Sequence, residues 1–185
     1  MEIIYQPKHT EGIRALDTMY PTYAMYFISD IEKQGMGHST TYGYLLTGSA
    51  TITANGQDWN LQEGNYFAFH GEFSVKDSKD LNLWTVTKLG YRCMPMVGQI
   101  ENNGRLSYID GCSDSVLVSM PRMGDPVLNY LHFPTGIYQT QHTHGNQFYH
   151  PVTAGAIGKK CNMNPSKASN TTIAKRIQSS RCCTR

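Results

Sequence analysis

The stretch from residue 50 to residue 61 constrains the fold more than any other. A strand-like run at 50–54 meets Asn55-Gly56, and a second run returns over 58–61. Asn and Gly both tolerate positive φ, so this pair predicts a two-residue type I′ turn closing an antiparallel hairpin. Strand signals continue on both sides. Residues 23–28 form an apolar run that suits a buried strand, and 42–46 form another, ended by Thr47-Gly48. After a turn at Glu63-Gly64 come runs at 65–69, 73–75 and 81–86. Short strands at this spacing predict an antiparallel sandwich or barrel.

The second half opens with a connector, 90–104, that carries Pro95, Gly98 and the turn pair Asn103-Gly104. Strands are expected at 105–109, 115–119 and 127–133, after which Pro134-Thr-Gly136 turns into the run ending at His144. This order repeats the first half: lead-in strands, a strong apolar strand, a glycine turn, then another strand. After His144 the pattern stops. All 14 acidic residues precede residue 145, while the last 41 residues hold seven Lys and Arg, no acid and two aromatics. Helix formers are scattered over 174–178, but the apolar positions are too few for an amphipathic helix. Such a tail reads as a solvated basic segment, or as the product of a shifted reading frame. A nucleic-acid partner would rest on this tail alone and is not expected.

Composition agrees with an all-β chain. Charged residues are 16% of the total, with 17 Gly and 12 Tyr. The first residues lack a basic region followed by a long apolar one, and no apolar run is long enough to span a bilayer, so a cytoplasmic protein without a membrane partner is expected. Five cysteines without a Cys-x2-Cys pair predict free thiols. Residues 1–20 read as an arm packed on the barrel; the alternative is one helical turn with Ile13, Leu16 and Met19 facing inward.

Several side chains invite a chemical reading. On a strand, His142 and His144 point to one face together with Tyr138 and Thr140, so the two imidazoles can be adjacent ligands of one metal ion. The plainer reading is a polar pair on an exposed strand. His38 and His70 lie at strand ends, where surface positions are the rule, and His132 reads as structural. Trp59, Tyr66, Phe67, Phe69 and Trp84 read as core, with an aromatic small-molecule pocket as the alternative.

The spacing Gly136-x5-His142-x-His144 resembles the opening of the first motif of the cupin superfamily, in which a Glu follows a few residues later. Positions 148 and 149, where that Glu should fall, hold Phe148 and Tyr149. The first half is similar to the middle of a cupin domain, with Gly48, Gly56 and Gly64 in place. In the second motif, Gly-x5-Pro-x-Gly-x2-His, Gln62 replaces the Pro and Phe67 replaces the ligand His. Thr41 stands at the Glu position of the first motif there, and only His38, out of register, represents its paired histidines. The resemblance spans residues 20–144. It implies an all-β cupin-type antiparallel jelly-roll barrel over 1–95 that lacks metal ligands, and a partial second β-domain over 96–144. The latter is the start of a second cupin in a bicupin (RmlC-like) arrangement, truncated or frame-shifted after His144, and 145–185 is an irregular basic tail. It also implies a divalent Fe, Mn, Ni or Zn ion at His142 and His144, with His150 as a candidate third ligand. Two functions follow from it. One is a metal-dependent, dioxygenase-like oxidoreductase acting on a small organic substrate. The other is a non-catalytic cupin binding a small-molecule ligand or a partner. By analogy with cupins that pair edge to edge, a homodimer is the expected assembly.

Overall fold

The structure is a computed structural model that describes residues 14–17, 22–119, 122, 125–137 and 174–181, with 14–17, 22 and 174–181 described as backbone. The first eight strands are β1 (Arg14–Asp17), β2 (Thr22–Phe27), β3 (Ile31–Gln34), β4 (Ser39–Ala54), β5 (Gln57–Gln62), β6 (Asn65–His70), β7 (Phe73–Leu89) and β8 (Met96–Gln99). The β4–β5 hairpin turns on Asn55 at φ 53° and Gly56 at φ 74°, as the type I′ expectation requires.

Two long strands build the barrel. β4 and β7 pair antiparallel from Ser39↔Leu89 to Ala54↔Phe73. Their register shifts three times between Leu45 and Thr51, beside Gly48 at φ 84° and opposite Asp77 and Asp80, both at positive φ. Extra residues at such bulges bend a strand and sharpen its twist. The two ends of the pair therefore belong to two sheet halves. One half runs β1-β2-β7-β4-β6-β8, while β5 and β3 flank the other ends of β4 and β7. Sequence reading splits β4 at Gly48 and β7 near Ser78 into separate strands; the pairing runs on through the bulges instead.

Between the halves lies an apolar interior that includes Met25, Phe27, Leu45, Ile52, Phe67, Phe69, Phe73 and Leu83. The other face of the larger half is also buried. There Tyr26, Trp84, Tyr44 and Tyr66 stand directly opposite one another across β2, β7, β4 and β6. Burial on both faces accounts for the unbroken apolar run at 24–27, because alternation requires one wet face; Ile28, just past the strand, is exposed.

The cover on that second face comes from β10 (Ser113–Val118) and β11 (Pro126–Phe133), which share a sheet with β9 (Leu106–Ser107) and β12 (Ala174–Arg181), a 3-10 turn at Ile109–Gly111 joining β9 to β10. These strands form a sheet in the order β12-β11-β10-β9. Val118, Leu128 and Tyr130 join Tyr42, Tyr44 and Trp84 in one core cluster. The Tyr42 hydroxyl donates to Pro126 O at 3.1 Å, and the Tyr130 hydroxyl donates to Asn102 O at 3.2 Å, so both phenols are satisfied at this seam.

Residues 14–17 form strand β1, paired with β2, and not the alternative helical turn. Residues 174–181, expected to be irregular, pair with β11 in unbroken register from Phe133↔Ala174 to Pro126↔Arg181. A strand beside an apolar neighbour gains its ladder bonds from the partner and needs no strong pattern of its own. Among the described residues no helix is long and apolar enough to cross a membrane.

Candidate functional site

The barrel interior is where a cupin resemblance would place a metal, and its residues do not fit one. Phe67, at the second motif's histidine position, is fully buried and lies across Gly43 on the neighbouring strand. Its ring stacks on Phe69 at 5.0 Å, and Trp59 meets Phe69 at 5.5 Å. Thr41, at the Glu position, is buried with its Oγ1 2.8 Å from Thr87 Oγ1. Thr85 Oγ1 is also buried and has no hydrogen-bond partner. Hydroxyls and phenyl rings offer a divalent ion no anionic or imidazole ligand. His38 lies in an exposed turn, and His70 ends β6 on the opposite face from Phe67 and Phe69. Among the described residues no group of three or more His, Cys, Asp or Glu side chains could hold a metal ion.

The aromatic set flagged in the sequence is divided by the sheet. Trp59, Phe67 and Phe69 face the barrel interior, while Trp84 and Tyr66 face the second sheet. Of the five, Tyr66 lines a cavity on the seam side of the sheet.

That cavity is a groove of about 340 Å³ at the seam between β6 and β8 on one side and β9, β10 and β11 on the other. Tyr66, Gln99, Glu101, Arg105, Leu117 and Tyr130 are among its walls. Gly98 lets the Tyr66 ring lie across β8, since a Cβ there would strike the phenol. The segment 99–105 is held at several points. Ile100 N donates to Gly64 O at 3.0 Å, Arg105 N donates to Ser115 Oγ at 2.9 Å, and Asn102 O accepts from Tyr130. Arg105 Nε donates to both oxygens of Glu101 at 2.9 and 3.0 Å, with Nη2 completing the fork. That pairing holds the Glu101 carboxyl below its usual range and the guanidinium above its own. Burial raises the Tyr66 phenol, while the nearby Arg105 pulls it back down. Burial pushes the Tyr130 phenol up to about 12, helped by Tyr44.

A second hollow, of about 440 Å³, lies beside Arg92, Cys93, Met94 and Arg122. Burial raises the Cys93 thiol, which keeps it from acting as a thiolate, and Arg122 is committed to Asp125 at 3.0 Å.

On the second sheet, His132 is buried, with Nδ1 3.4 Å from Ser113 Oγ and its ring 6.4 Å from Tyr130, in keeping with a structural role. Asp114 and Asn129 each keep one buried side-chain oxygen without a partner, and burial raises the Asp114 carboxyl. His142, His144 and His150 lie outside the described residues. The glycine that leads toward them is described: Gly136 takes φ 81° in a turn where Ile137 N donates to Pro134 O.

No protein-family model and no curated protein matches the sequence. Solved structures do. The structure of the protein Ylba from E. coli is similar with a TM-score of 0.58 at 15% identity, over 96% of this chain and 87% of that one. A Pseudomonas aeruginosa protein described as glyoxylate-induced is similar with a TM-score of 0.54 at 14% identity, over 75% of this chain. The matched part spans 61% of that protein's length. Both are cupin-fold proteins.

The chain has the cupin fold. At these identities the likeness carries the jelly roll and no chemistry. Within the cupin barrel, the sequence already marked Phe67 and Thr41 as departures from the ligand pattern, and the structure places both in the closed interior. The seam groove was not legible beyond Tyr66. Its walls come from strands that local spacing cannot bring together, since Tyr66 and Tyr130 are far apart in the chain.

Proposed function

We propose that this cupin-fold chain binds a small organic molecule, with the first barrel serving as a scaffold rather than as a metal centre. The observation that carries this reading is the fully buried Phe67 ring lying across Gly43, a packed phenyl group at the position where the cupin pattern has a ligand histidine. A ligand must then be held outside the barrel. Small-molecule sites favour preformed clefts with apolar walls and a few convergent polar groups, and the seam groove has both.

A specific observation favours a second reading. Strands β10, β11 and β12 are neighbours in that order, as are β1, β2 and β7, and that likeness supports a second cupin starting at β10. In that reading the chain is a metal-dependent, dioxygenase-like oxidoreductase. His142 and His144 hold a divalent Fe, Mn, Ni or Zn ion, which would supply Lewis-acid or oxygen chemistry. Two imidazoles hold such an ion weakly, so His150 or another group must complete the set.

One set of measurements separates the two. Metal content and melting temperature of the purified full chain are measured with and without a chelator, followed by melts against a panel of small organic molecules. The scaffold reading expects a melt unchanged by chelator and raised by at least one panel member. The oxidoreductase reading expects stoichiometric metal that His142→Ala removes. A melt that no panel member raises sinks the ligand-binding reading.

A further inference from the structure

We propose that the seam groove takes a small aromatic carboxylate, a site that rests on the ligand-binding reading above. The groove presents more hydrogen-bond donors than acceptors. Arg105 turns Nε and Nη2 to Glu101, which leaves the Nη1 edge for a second acceptor. Ser115 Oγ accepts from Arg105 N, so its own hydrogen is left to donate. The Tyr66 hydroxyl is the third donor, in electrostatic reach of Arg105 and of Glu101. The Glu101 oxygens, the main acceptors, are already occupied by the guanidinium. A guanidinium edge with two hydroxyl donors beside it suits a group that only accepts, and a carboxylate is such a group. A cationic ligand would face Arg105, and an uncharged one would gain less than a carboxylate from the guanidinium edge that Glu101 leaves open.

The rest of the groove suits the ring. Tyr66 and Tyr130 supply aromatic wall, and Leu117 adds aliphatic surface. Leu106 and Val116, 57% and 47% exposed, stand at the same groove and would be covered by a ligand. Segment 99–105 is pinned by the Tyr130, Ser115 and Gly64 bonds already described, so little ordering is needed on binding.

The test is an amide and tyrosine-ring NMR titration of the full chain with benzoate, with benzamide as the uncharged isostere and a chelator present throughout. Expected are saturable shifts centred on Gln99, Arg105 and Ser115 and at least about tenfold weaker binding of benzamide. Arg105→Gln should weaken benzoate about tenfold, and Tyr66→Phe about threefold. Arg105 is 76% exposed at its side chain, so its replacement leaves the core intact. Benzamide binding as tightly as benzoate, shifts confined to other parts of the chain, or two variants that bind like the parent would each overturn the site. A panel molecule that raises the melt while benzoate fails removes this site and leaves the ligand-binding reading standing. Failure of every panel member removes both.

Discussion

The Phe67 ring occupies the space that a side chain on Gly43 would need. A Cβ at Gly43 would run into Cζ, Cε1 and Cε2 of that ring. The two residues face each other across β4 and β6, and the ring is fully buried against Phe69. A glycine on one strand thus admits a phenyl ring from the next, at the position where the cupin pattern has a histidine.

Gly43→Ala should destabilise the protein by about 1–3 kcal/mol through overpacking. Phe67→Ala should cost about 3–5 kcal/mol through loss of buried surface and the cavity left behind. The double variant should be less destabilised than the two changes added together, by about 0.5–3 kcal/mol. Urea unfolding of all four proteins measures this. Simple additivity would mean that the ring does not lie over Gly43.

The barrel threonines should respond in opposite ways to the loss of a hydroxyl. Thr85 Oγ1 is buried without a partner, so Thr85→Val should be neutral or stabilising. Thr41 and Thr87 share a buried bond of 2.8 Å, so Thr41→Val strands the Thr87 hydroxyl at a cost of about 1–3 kcal/mol. Thermal melts of the two variants, whose volumes hardly change, give the comparison directly. Equal losses would place a hidden partner at Thr85.

Legibility followed the range of the interactions. The Asn55-Gly56 turn and the apolar run at 23–28 were visible because local backbone preference and burial act within a few residues. The joining of 39–54 into one strand was not, because Gly48 signals a turn in isolation and becomes a bulge only beside β7. Trp84 looked like ordinary core, yet with Tyr44 it forms the outer row that receives Leu128 and Tyr130. Nothing near either residue encodes that distant cover. The same holds for Arg105 and Tyr66, which meet only across the seam.

Gly48→Ala should be among the costlier single changes on the barrel corner. Its φ of 84° disfavours any side chain, and a Cβ there would meet the backbone oxygens of Lys79 and Asp80, which cannot rotate away. A loss of about 1–3 kcal/mol is expected from the backbone conformation, with the clash adding to it. Gly56 has similar φ but open space around it, so Gly56→Ala should cost less. Denaturant midpoints of the pair test the distinction, and equal midpoints would remove the contact with β7 from the account.

The buried phenols predict a loss of stability at alkaline pH. Burial pushes Tyr44 and Tyr130 up to about 12, and Tyr42 further in the same direction. In the unfolded chain these groups titrate near pH 10, so above that pH the unfolded state has released protons that the folded state retains. Their contribution is therefore complete below about pH 10 and declines as pH rises from 10 toward 12. Tyr130→Phe separates the two parts of this residue's role. At neutral pH the variant should be less stable by about 1 kcal/mol, because Tyr130 no longer donates to Asn102 O. As pH rises past 10 the gap should narrow, since the variant has lost a group whose ionisation favours unfolding. Paired melts of parent and variant at pH 8, 10 and 11 measure the gap, and tyrosinate absorbance follows the titration itself. A gap that stays constant or widens with pH would show that Tyr130 ionises as an exposed phenol does.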